Sequence, residues 1–127
     1  MTPTRSTIGD DCMAMVPSTV AADPATLARF FRVLGDPTRL RLIQTLARGE
    51  HSVGELVDAV GQLQPRVSTH LACLRHCGFV TTQRRGKEVV YRLALRGLDR
   101  IVEHAGSSLE PVCERLATCT RIGPDWV

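Results

Sequence analysis

Cys73 and Cys77 are the pair in this chain whose type and spacing can do chemistry. On a helix, residues four apart are neighbours on one face, about 5–6 Å apart at Cβ. Two thiolates held this way can clamp one metal ion. A helical wheel at about 100° per residue groups them with Arg66 and His70, offset from the apolar stripe of the same segment. The competing reading is that both are small buried hydrophobes. Three further thiols exist: Cys12, Cys113 and Cys119. Five cysteines, an odd number, fit reduced thiols in a cytoplasmic protein better than a disulfide framework.

The pair sits in a segment with a second use. Pro65 opens a helix that runs to His76, with Gly78 as its stop. Val67, Leu71 and Leu74 form its inner face, and Ser68, Thr69 and Ala72 point well away from it. Gln64 and Arg66 stand at the N-terminal end, where a recognition helix meets base edges. Gln suits adenine, Arg suits guanine, and Ser and Thr serve either. Ser52 caps a short preceding helix, Val53 to Val60, which ends at Gly61; together the two read as a helix-turn-helix. Two earlier helices start at Asp23-Pro24 and Asp36-Pro37 and end near Gly35 and Gly49.

The period changes after Gly78. Phe79–Thr82 and Val89–Leu93 read as strands around a basic tip, Gln83–Glu88. This is a wing, and Arg84, Arg85 and Lys87 on it suit phosphates or a minor groove. A last helix is expected from Leu98 to Cys119. Leu98, Val102, Ala105, Leu109, Val112, Leu116 and Cys119 form a near-heptad seam that suits subunit pairing, weakened at Gly106-Ser107-Ser108. The expectation is therefore a mainly α winged helix-turn-helix domain over residues 24–119, homodimeric through its terminal helices. A flexible arm, 1–23, precedes it and a tail, 120–127, follows.

Composition agrees with this reading. The chain has 127 residues, about one domain. Apolar residues make up 43% and charged residues 23%, enough to bury a core. A net charge of +3 permits double-stranded DNA as a partner without requiring it. Aromatic residues are 4%, too few for the stacking platforms of a single-strand binder. No apolar run approaches the roughly 18–20 residues of a membrane span, and no secretory signal is apparent. An enzyme is not expected, because His76 and Cys77 diverge by about 100° on a helix and no third group is placed to orient a base.

Asp36-Pro37-Thr38-Arg39, Ser68-Thr69-His70-Leu71 and Leu74–Val80 resemble the ArsR/SmtB family of winged-helix repressors, over roughly residues 24–118. The resemblance implies a homodimer that sits on operator DNA and leaves it when metal binds. His70 matches a position often held by His in that family. It is read first as a packing or phosphate-contacting residue and second as a ligand. Cys73–Gly78 most resembles the cadmium/lead-sensing CmtR type, which implies a third ligand, Cys113, from the partner subunit. Three thiolates select cadmium, lead, mercury or trivalent arsenic, with mercury a serious rival to the first two. Zinc is less favoured, since structural zinc takes four ligands. The cysteines of the family's arsenic site are missing from His51–Leu56. Asp99, Glu103, His104 and Glu110 do not match the spacing of its zinc site. A metal-free redox switch on the same thiols is the alternative.

Overall fold

The computed structural model describes residues 22–121. Six helices and three strands follow in the order α1 (Pro24–Leu34), α2 (Pro37–Leu46), β1 (His51–Ser52), α3 (Val53–Val60), α4 (Gln64–His76), β2 (Val80–Arg85), β3 (Glu88–Leu93), α5 (Leu98–Ser108), a 3₁₀ turn (Glu110–Val112) and α6 (Cys113–Thr118). The arm expected over 1–23 lies almost wholly outside the described residues, Cys12 included, as does most of the 120–127 tail. Among the described residues no helix is long and apolar enough to cross a membrane.

Local chemistry sets the helix starts. Asp23 accepts from the Thr26 amide at 2.8 Å and Asp36 from the Arg39 amide at 3.0 Å. Ser52 and Glu55 make a reciprocal capping box at the start of α3. Gly61, with φ +68°, closes α3 in the left-handed conformation and turns the chain into α4.

The core lies where α2, α3 and α4 meet. Leu42, Ile43 and Leu46 of α2 pack with Leu56 and Val60 of α3 and Val67, Leu71 and Leu74 of α4; Phe79, Val80 and Leu98 close it below. The inner face of α4 is therefore the one its spacing predicts. Truncating one of these leucines to alanine would cost about 2–5 kcal/mol, so α4 is held firmly with its opposite face free.

Three expectations need correction. The strands run further toward the tip than their β-branched cores: β2 pairs antiparallel with β3 from Val80↔Leu93 to Arg85↔Glu88. Only Gly86 and Lys87 remain as the turn, with Gly86 at φ +64°. Arg84 and Arg85 thus stand on a strand and not on the tip. Secondly, β1 was unforeseen; it pairs with β3 through His51↔Tyr91 and Ser52↔Val90, giving sheet order β1-β3-β2. Thirdly, the helix expected from Leu98 to Cys119 is broken. Pro111 has no N–H to donate and crowds the carbonyl four residues back, while Gly106, Ser107 and Ser108 are weak helix formers. The Ser107 hydroxyl also donates to the Glu103 carbonyl at 3.3 Å. The seam divides accordingly: Leu98 is in the core and Val102 against it, while Leu109, Val112 and Leu116 are exposed.

Candidate functional site

Gln64, Arg66, Ser68 and Thr69 are all exposed on the first two turns of α4, opposite the buried Val67 and Leu71. The Thr69 hydroxyl donates to the Pro65 carbonyl at 2.9 Å. No side chain caps α4; its first free amides follow Leu63, whose carbonyl accepts from Arg66 and Val67, both at 3.1 Å. On the wing, Arg84, Arg85 and Lys87 are exposed. Arg85 is engaged by Glu50 at 2.8 Å. An exposed pair of this kind is worth about 0–1 kcal/mol, so the guanidinium can exchange its carboxylate for a phosphate.

His70 is placed differently from the other residues grouped with DNA. Its side chain is only 13% exposed and turns inward. Nε2 lies 3.6 Å from the Asp36 carboxylate and Nδ1 lies 3.4 Å from an Arg39 guanidinium nitrogen. Arg39 in turn donates from Nε to the Val33 carbonyl at 2.6 Å and from a terminal nitrogen to the Arg32 carbonyl at 3.4 Å. Of the roles weighed for His70, this geometry is packing: it ties α4 to the α1–α2 junction rather than reaching a phosphate. Nothing in the sequence spacing signals this tie, because it joins side chains 31 residues apart.

The thiol pair sits at the far end of α4 from the exposed polar turns. Cys73 is half-buried and Cys77, the last-turn cap residue, is exposed. Their backbones are linked by the Cys77 amide donating to the Cys73 carbonyl at 3.0 Å. The Cys77 thiol is pushed above its ordinary value, by lost hydration first and then by Cys73; the positive charge of Arg39 pulls the other way. The two thiols stand one helical turn apart on the same side of α4, the spacing at which side chains four apart are neighbours. Neither belongs to the core. Cys113 is exposed at the start of α6, and Cys119 lies beyond its end in extended backbone. Among the described residues of one chain, no group of three or more His, Cys, Asp or Glu side chains converges on a common point. The pair alone suits an ion satisfied by two thiolates; a third donor must come from outside this group.

Sequence reading also missed how apolar side chains are shared out at the surface. Leu27 and Phe31 of α1, Ile101 of α5, and Leu109, Val112 and Leu116 stay exposed. Phe31, Ile101 and Leu109 line one apolar groove of about 330 Å³ between α1, α2 and α5. The signal was present in α1, where Leu27, Phe30, Phe31 and Leu34 recur at helical spacing but only Leu34 is buried.

Comparison with known proteins places this geometry. Residues 36–82, from the α2 cap to β2, match the bacterial regulatory protein, arsR family. The chain is 43% identical over 114 residues to a probable mercury resistance operon repressor of Streptomyces lividans, covering 90% of this chain and 89% of the relative. It is 43% identical over 70 residues to the HTH-type transcriptional regulator CmtR of Mycobacterium bovis, covering 55% and 59%. The solution structure of a homodimeric winged helix-turn-helix DNA-binding domain from Mycobacterium bovis, 25% identical, superposes with a TM-score of 0.62 over 78% of this chain and 95% of that one. The chain belongs to the ArsR family of bacterial regulatory proteins, DNA-binding transcriptional repressors rather than enzymes.

Proposed function

We propose that this repressor occupies its operator as a homodimer and leaves it when a thiophilic heavy-metal ion is captured by Cys73 and Cys77 together with Cys113 of the partner subunit. The observation that carries the reading is the thiol pair one turn apart on α4, the same helix whose first turns expose Gln64, Arg66, Ser68 and Thr69. Soft thiolates favour mercury, cadmium and lead over zinc. The likeness to a probable mercury resistance operon repressor along 90% of the chain supports mercury among these ions.

Gln64, Arg66, Ser68 and Thr69 address base edges, and Arg84, Arg85 and Lys87 address the backbone. The exposed apolar side chains of α1, α5 and the following turn form the pairing face, and the groove lined by Phe31, Ile101 and Leu109 supports that use. Two α4 helices must then stand about 34 Å apart to enter successive major grooves. Holding the end of each α4 to the other subunit's C-terminal segment displaces both reading ends at once. Coupling of about 1–3 kcal/mol is typical of such linkage, and its upper end weakens operator binding on the order of 100-fold.

The test counts sulfurs. Thiolate-to-metal absorbance is followed while mercury(II), cadmium(II) or lead(II) is titrated into the full chain and into Cys73→Ser, Cys77→Ser and Cys113→Ser. Three-sulfur intensity in the wild type, reduced by each substitution, supports the reading. Full intensity in the Cys73→Ser or Cys77→Ser protein overturns it.

A further inference from the structure

Leu63 breaks two local rules at once. It occupies the N-cap position of α4, with φ −67° and ψ 146°, yet makes no capping hydrogen bond. Ser, Thr, Asp or Asn at such a position would accept one of the free amides of the first turn. It is also 79% exposed, more than any other large apolar side chain among the described residues. The others so exposed lie on α1 or from α5 onward, in the pairing region. Leu63 stands apart from them, directly before Gln64 and Pro65, at the end of α4 that enters the groove in a helix-turn-helix protein. A residue that gives up both burial and capping at a binding end points to a use outside the folded chain.

We infer that Leu63 is a specificity residue that reads the 5-methyl group of a thymine in the major groove. Thymine is the one base with an apolar substituent on its major-groove edge, and apolar side chains are what recognise it. Gln64 and Arg66 beside it carry amide and guanidinium groups that suit adenine and guanine, and neither can discriminate a methyl. Leu63 adds a large apolar contact beside them, so the half-site includes a thymine next to the bases read by Gln64 or Arg66. The inference rests on α4 being the DNA-reading helix and is independent of the metal site.

The test uses the full-length protein and a duplex of the DNA upstream of its own gene. Each thymine is replaced in turn by deoxyuridine, which lacks only the methyl. Wild-type protein is expected to lose about fourfold in affinity for each contacted methyl removed. In Leu63→Ala at least one of these replacements no longer costs affinity. Leu63→Ser also loses the discrimination, while the restored cap raises its melting temperature, so misfolding is not the cause. The slope of log affinity against log salt stays at the wild-type value in both variants, because no phosphate contact is lost. The inference is overturned if no deoxyuridine position affects the wild type, if Leu63→Ala keeps the wild-type pattern, or if its salt slope falls. A wild type that binds no duplex removes the DNA-reading assignment of α4 itself, and this inference with it.

Discussion

Replacing Phe31 with alanine should weaken dimer formation while leaving the fold in place. Phe31 is 52% exposed on α1, so about half of its transfer free energy remains to be gained on association. Fully burying such a side chain is worth about 1.5–3 kcal/mol, which leaves roughly 1 kcal/mol per copy. A two-fold interface uses the same patch twice, giving about 2 kcal/mol per dimer, or about 30-fold in the dimer dissociation constant. Within the monomer Phe31 touches Phe30 edge-on, with ring centroids 5.2 Å apart. Phe30 keeps its own contact with Phe79 at 5.4 Å. Inside the monomer the variant loses this aromatic pair, about 0.5–1.5 kcal/mol, and the half of the side chain already buried, roughly 1 kcal/mol. Sedimentation over a dilution series measures the dissociation constant, and thermal melting reports the fold. An unchanged dissociation constant in a folded variant would refute the assignment of α1 to the pairing face.

Further outcomes follow from the same geometry. Ion affinity should rise with pH through the neutral range, since all three proposed ligand thiols must lose protons and that of Cys77 is held more tightly than usual. Below the thiol pKa values the slope approaches about 1000-fold per pH unit for three thiols, measured by competition titration; a flat profile would exclude thiolate ligation. In the ion-free protein the raised Cys77 value favours the folded thiol form, so stability from this source is lost as pH rises above the ordinary thiol range. Arg39→Met should destabilise the domain by about 2–4 kcal/mol in chemical denaturation, because it removes bonds to the Arg32 and Val33 carbonyls and the contact with His70 Nδ1, leaving His70 only Asp36. A loss below 0.5 kcal/mol would mean those bonds contribute nothing net. Peroxide without metal should leave operator binding intact, since cysteines four apart on an intact helix cannot close a disulfide without unwinding it. Peroxide-driven release would favour the redox alternative.

Local signals carried much of this architecture. Asp23, Asp36 and Ser52 are caps because their side chains answer free amides three residues on, a purely local matter. The inner face of α4 was legible because Val67, Leu71 and Leu74 repeat at helical spacing. What escaped depends on partners distant along the chain. β1 is two residues long and exists only because β3 passes beside it. The reach of β2 into Arg84 and Arg85 comes from pairing with Val89 and Glu88, which polar side chains do not advertise. His70 is drawn inward by Asp36 and Arg39, which no helical wheel shows. The break at Pro111 is another kind of miss, since proline is a local signal that the 4-3 apolar spacing around it outweighed. At the candidate site, spacing alone brought Cys73 and Cys77 together. The role proposed for Cys113 came only from the family resemblance, because spacing along one chain does not show which thiols of two subunits meet.

The central claim is that filling the sulfur pair on α4 loosens its hold on DNA. Its most direct test follows operator binding by fluorescence anisotropy as mercury(II), cadmium(II) or lead(II) is added to the preformed complex, with wild-type and Cys73→Ser proteins side by side. The account predicts that one of these ions weakens wild-type binding on the order of 100-fold, and that the Cys73→Ser protein binds the operator as tightly at the start but stays bound. Equal release of both proteins, or release of neither, would contradict it.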